Sequence, residues 1–149
     1  MSKSEVSGSP MVGAAIKLMD PKALIESTGV EHRVTFRLLV LGLAQAGYGR
    51  VRVVCGRRSL DEQMVLYGYG RTAAECVKAC VPNKYAQPDR AVVTWIKPSE
   101  SMHVRGRAID IDFSMYAVVT WSVIRVIAEE LGLTWGGSWK VRDYGHFEI

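Results

Sequence analysis

Two short stretches in the second half of the chain concentrate the residue types that do metal chemistry. Residues 101–110 read SMHVRGRAID and residues 143–148 read DYGHFE. Between them they hold two of the three histidines in the protein, His103 and His146. Two neutral imidazoles and one carboxylate make a three-ligand zinc site whose fourth position stays open to water. Such an ion lowers the pKa of its bound water toward ~7. A carboxylate just outside the ligands can take the proton of the attacking water and hand it to a leaving amine. Asp143 stands three residues before His146 and suits that part.

The elements that must position these groups read as strands. Ala108, Asp110 and Asp112 alternate with Ile109, Ile111 and Phe113, polar on one face and apolar on the other. His103 lies an odd number of residues before Asp110, so an unbroken strand would turn the two to opposite faces. Gly106 between them can supply a turn or bulge that brings them together. His146 and Glu148 share one face of a second strand, and Phe147 and Ile149 the other. Two neighbouring strands can thus present His103, Asp110 and His146 to one pocket. Asp112 competes with Asp110 for the ligand position on residue pattern alone. Glu148 either orients a ligand imidazole or is an ordinary exposed carboxylate. His32 has no motif around it and reads as a surface or core residue.

Helices are expected before the strands. Asp20 and Pro21 read as an N-cap followed by Pro at the first helical position. Thr28 and Glu31 have the spacing of a capping box. It would open a helix with Val34, Leu38, Leu41 and Ala44 on its apolar side, closed by Gly47. Residues 51–54 read as a short strand. Ser59 and Glu62 form a second capping box, for a helix ending near Gly68. Residues 81–90, with Pro82 and Pro88, read as an exposed loop. Val123, Ile124, Ile127 and Leu131 form the apolar face of a last helix, stopped by Gly132. The sequence GYGR occurs twice, each time after a helix, and reads as turn chemistry.

The pattern S-x-H-x-x-G-x-A-x-D followed by acid-x-x-H-F-E resembles the zinc peptidases of the D-Ala-D-Ala peptidase group. That group includes bacterial carboxypeptidases, dipeptidases and phage endolysins, and is related in fold to hedgehog signalling domains. Upstream, Cys55 to Ser59 (CGRRS), Gln63, Leu66–Tyr67, Gly70–Arg71–Thr72 and Val93–Thr94 match the group's segments in order. The resemblance covers about residues 51–149. It implies His103, Asp110 and His146 as Zn2+ ligands and favours Asp110 over Asp112. It implies Asp143 as general base, with Arg58, Gln63 and Ser101 lining the substrate pocket. Asp143, Tyr144, Gly145 and His146 look more like the phage L-alanyl-D-glutamate endopeptidases, since the D-Ala-D-Ala enzymes usually carry E-x-W-H there. The chain departs from the group between Thr72 and Val92, where relatives often have a short link. The implied fold is α+β, a small, mainly antiparallel sheet packed with helices.

Composition agrees with one domain over residues 1–149, with residues 1–19 as a flexible start and 73–91 as an insertion or lid loop. Hydrophobic residues make up 48% of the chain, enough for a core without staples. The net charge of +4 suits a polyanionic partner such as an anionic bacterial wall, or simply a solvated surface. Cys55, Cys76 and Cys80 are an odd set, which argues against a disulfide framework. Cys76 and Cys80, one helical turn apart, read as buried thiols or a loop-tethering pair. No secretory signal or membrane-spanning run is visible. A protein made and kept in the cytoplasm is expected from this, and the resemblance to phage endolysins implies a monomer held in a host cytoplasm until a holin releases it to peptidoglycan. Two other readings stay open: a D-Ala-D-Ala carboxypeptidase, and a binding module with a structural zinc or a basic nucleic-acid surface. Asp143 argues against the structural-zinc form. The absence of helix-turn-helix or aromatic-basic interleaving weakens the nucleic-acid form.

Overall fold

A computed structural model describes residues 21–149. The expected cap at Asp20 and the expected flexible start lie outside them. Contacts cluster into two compact units, residues 58–104 and residues 21–57 with 105–149.

The larger unit is a four-stranded sheet with helices. Its strands are β1 (Arg52–Cys55), β2 (Ala108–Asp112), β3 (Thr134–Trp135) and β4 (His146–Glu148), in the order β1-β2-β4-β3. All three pairings are antiparallel, as expected for this α+β class. Period-2 alternation sends Ile109, Ile111 and Phe147 into the core, where Ile109 and Phe147 are fully buried. Their opposite neighbours Asp110 and Glu148 face away from it, half-buried. Helices α1 (Pro21–Glu26), α2 (Arg33–Leu43) and α5 (Trp121–Glu130) supply Leu24, Phe36, Leu39, Leu43 and Ile124 to the same core.

Two expectations fail here. Thr28 is not a capping-box residue: its Oγ1 donates to the Ile25 carbonyl at 2.6 Å, closing α1 behind it. Gly29 caps the short 3-10 turn Val30–His32 without a side-chain hydrogen bond. The buried face of α2 is also not the expected one. Phe36, Leu39 and Leu43 face the core, while Val34, Leu38 and Leu41 are 46–61% exposed. With Val123 and Val126 of α5, Leu38 and Leu41 line an open groove of about 700 Å³. The helix is apolar on both sides, so only its packing partner decides which side is buried. Its end agrees with the reading, since Gly47 has φ 98° inside the closing turn.

In the smaller unit, α3 (Leu60–Gly68) opens on the expected Ser59–Glu62 capping box. The expected insertion at 73–91 begins as a helix, α4 (Ala73–Lys78), with its own box from Thr72 and Glu75. Tyr67, Cys76, Ala79 and Val81 form a local core. Beyond Val81 the segment is a 3-10 turn at Asn83–Tyr85 and exposed or half-buried chain, close to the loop expected. Arg71 is buried with its guanidinium 3.8 Å from the Tyr67 ring centroid. It donates to the carbonyls of Tyr67 and Thr94 at 2.6 and 2.7 Å. The GRT segment thus ties this unit together. Burial pushes the Cys76 thiol above its ordinary pKa, which marks it as inert. Cys80 is exposed, and no disulfide joins the described cysteines. No helix among the described residues is long and apolar enough to cross a membrane.

Candidate metal centre

The register of β2 against β4 sets Asp110 directly opposite His146. Antiparallel partners share a face, so imidazole and carboxylate meet. His146 Nδ1 lies 3.1 Å from Asp110 Oδ1, and His146 Nε2 lies 2.8 Å from Glu148 Oε2. The ring is 9% exposed. A neutral imidazole carries one N–H and ionised carboxylates only accept, so it can donate to one side alone. Donation from Nε2 to the nearer Glu148 leaves the Nδ1 lone pair facing Asp110. Two lone-pair donors aimed at each other are what a cation between them requires. Glu148 thus stands where a carboxylate could orient the imidazole.

Asp143 completes this group. One ligand-type atom each from Asp110, Asp143 and His146 lie within 4.8 Å of one another. The backbone holds Asp143 there by donation from its N–H to Gly136 O at 2.9 Å. Its own carbonyl accepts the His146 N–H at 3.3 Å, so Asp143 to His146 is one turn. Gly136 is required by close approach: a Cβ there would stand 2.4 Å from Asp143 O and 3.1 Å from the His146 Cβ. The Trp139 ring lies beside His146, centroids 5.0 Å apart. The oxygen and nitrogen donors fit Zn2+, which accepts His nitrogen and Asp oxygen.

Asp112 is otherwise engaged. Its Oδ2 accepts from Arg52 at 2.6 Å and its Oδ1 from the Ser114 N–H at 2.8 Å. Burial works to raise its pKa, but the Ser114 hydrogen bonds and the Arg52 guanidinium outweigh it and hold the carboxyl below its ordinary value. Both oxygens are spoken for, whereas on the same strand Asp110 belongs to a group that could hold an ion.

The remaining expected residues lie in the smaller unit. His103 is buried, and its carbonyl accepts the Arg58 N–H at 3.1 Å. Arg58 donates from its guanidinium to Gln63 Oε1 at 2.7 Å, and Gln63 is fully buried. Ser101 is buried, with its Oγ accepting from the Val104 N–H at 3.4 Å. Downstream, Gly106 takes φ 70°, the turn expected between His103 and β2. Sequence reasoning missed Cys55. Its strand carries a β-bulge, and parity along the chain does not reveal which residue comes to stand opposite Asp110.

Residues 96–149 match the family model described as D-alanyl-D-alanine carboxypeptidase. The match spans His103, Asp110, Asp143 and His146. The resemblance to the D-Ala-D-Ala peptidase group is borne out. The chain is similar to the peptidoglycan L-alanyl-D-glutamate endopeptidase CwlK of Bacillus subtilis, 31% identical over 110 residues. That alignment covers 63% of this chain and 57% of the relative, so the chain spans a little over half the length of the curated peptidase it matches. Among solved structures it is similar to the L-Ala D-Glu endopeptidase ChiX of Serratia marcescens, with 21% identity and a TM-score of 0.47. That likeness covers 87% of this chain and 85% of the other.

Proposed function

We propose that the protein is a zinc peptidase that hydrolyses the stem peptides of peptidoglycan, at the bond between L-Ala and D-Glu. One observation carries the reading: His146 stands between two carboxylates, its Nδ1 toward Asp110 and its Nε2 held by Glu148. The match over residues 96–149 and the likeness to an L-alanyl-D-glutamate endopeptidase support it. Asp110 and His146 hold Zn2+, with His103 as third ligand on the strength of its motif. Zinc, when bound, polarises the scissile carbonyl and acidifies water.

The other residues do the rest. Asp143 takes the proton of the attacking water at a carboxylate oxygen and returns it to the leaving amine. Arg58, oriented by Gln63, holds a carboxylate of the stem peptide by charge-assisted hydrogen bonds, and Ser101 lines the same pocket. Action as a phage endolysin, in a host cytoplasm with holin-dependent release, rests on the likeness of residues 143–146 to that branch. One chain acting as a monomer on one stem peptide completes the proposal.

A second reading, removal of a terminal D-Ala, is favoured by the description of the matching family model. Mass spectrometry of purified peptidoglycan digested by the zinc-loaded protein, with a chelated control, separates the two. Chelator-sensitive fragments with a free D-Glu N-terminus establish the endopeptidase. Released D-Ala establishes the carboxypeptidase. No chelator-sensitive product from several wall types would refute both.

A further inference from the structure

Trp95 stands outside both hydrophobic cores. Of the four tryptophans, Trp135 is buried and Trp121 and Trp139 are half-buried, but Trp95 is 71% exposed. The ring is nevertheless held in place. The guanidinium of buried Arg71 lies 3.8 Å from the Tyr67 ring centroid and 5.6 Å from that of Trp95. The indole is therefore the outer layer of a cation–π stack rooted in the smaller unit. Its backbone is fixed on both sides. The Thr94 carbonyl accepts from Arg71 at 2.7 Å, and the Ile96 N–H donates to Thr94 Oγ1 at 3.2 Å. Past Lys97 the 3-10 turn Pro98–Glu100 packs on α3, the helix that carries Gln63, with Pro98 buried. The Pro98 carbonyl then accepts the Ser101 N–H at 3.4 Å. Trp95 is thus a pre-positioned aromatic surface on the segment that leads into Ser101 and His103, and Ile96, 47% exposed, extends it.

The chemistry of the substrate says what such a surface would meet. In peptidoglycan, L-Ala is joined through a lactyl group to a sugar of the glycan strand. The bond between L-Ala and D-Glu is therefore one amino acid from that group, about 3.5 Å of chain. A peptidase cutting there has a single residue of peptide to hold on that side, and any further grip must come from the sugar. A pyranose ring offers a face of C–H bonds, which an indole matches by dispersion and by its negative π surface. A ring already fixed loses little freedom when it binds. We propose that Trp95 is a stacking platform for an N-acetylated sugar of the peptidoglycan glycan strand. The inference rests on cleavage between L-Ala and D-Glu and adds the part of the substrate that Arg58, Gln63 and Ser101 do not address. Removal of a terminal D-Ala, at the far end of the stem, would have no use for it.

The test compares the full chain as wild type, Trp95→Ala and Trp95→Phe. The zinc-loaded proteins are assayed on intact peptidoglycan and on free stem peptide without sugar. The metal-free proteins are passed over immobilised glycan strands freed of stem peptides. In Trp95→Ala the ratio of kcat/KM on peptidoglycan to that on free peptide should fall about 10-fold, through KM, and retention on the strands should be lost. Trp95→Phe, which keeps a ring, should recover most of both. A wild type that the strands do not retain, or a Trp95→Ala retained equally, would overturn the platform and leave the proposed reaction intact. Retention that depends on Trp95, with neither substrate cut by wild type, would overturn the reaction and uphold the platform. Should Trp95→Ala fail to fold, fluorescence takes its place. Adding the strands should shift the indole emission of wild type and not that of Trp95→Phe, and an equal shift in both refutes the platform.

Discussion

The strand pair β2–β4 and the helix α2 belong to the same core, yet they constrain their side chains differently. On the strands each residue has one side, and a slip of one position would carry Asp110 into the core and Ile109 out of it. Asp110 and His146 therefore meet because Ile109 and Phe147 are fully buried on the other face. On α2 two apolar stripes compete, and Leu38 could have taken the place of Leu39 by a rotation of the helix. Core burial thus specifies the pairing of Asp110 with His146, whereas α2 owes its orientation to its neighbours.

Removing the apolar half of the strand pair should be the most damaging change. Phe147→Ala is expected to cost about 3–5 kcal/mol in denaturant unfolding, and a cost under about 1 kcal/mol would deny that this face anchors the site. The two stripes of α2 are separated by a paired test. Leu39→Ala should cost about 2–5 kcal/mol, and half-exposed Leu38→Ala no more than about 0.5–1 kcal/mol. The reverse order would restore the face expected from sequence. Within the site, Glu148→Ala should weaken zinc about 10–100-fold in a competition titration with a chromophoric chelator. Unchanged affinity would reduce Glu148 to a bystander.

The smallest effect belongs to the neighbouring pair on β1 and β2. Arg52 is largely exposed, so Asp112→Asn should cost under about 1 kcal/mol at neutral pH. The sign follows from the lowered pKa of Asp112. Its contribution is fully present above the ordinary carboxylate value of 3.8 and fades as pH falls through the lower folded value. Wild type and Asp112→Asn should therefore converge in acid, and a gap that widens there would contradict the assignment.

Much of this was legible before the structure because local chemistry and global packing agree. Alternation over residues 108–113 placed β2. Ser59 and Glu62 placed the start of α3, and the shared face of His146 and Glu148 placed those two side chains in contact. Thr28 misled because its hydroxyl serves the helix behind it. Helix α4 was hidden inside a segment read as an insertion, although Thr72 and Glu75 have the same spacing as Ser59 and Glu62. Cys55 was out of reach of any pattern, since a bulge changes strand parity without leaving a glycine to announce it.

The central claim is that Asp143 works on the proton while Asp110 and His146 hold the ion. Peptidoglycan cleavage by zinc-loaded Asp143→Ala, at a zinc content matched to wild type, tests it most directly. The account predicts that zinc stays and new D-Glu N-termini fall about 10²–10⁴-fold. Cleavage at the wild-type rate with zinc in place would contradict it.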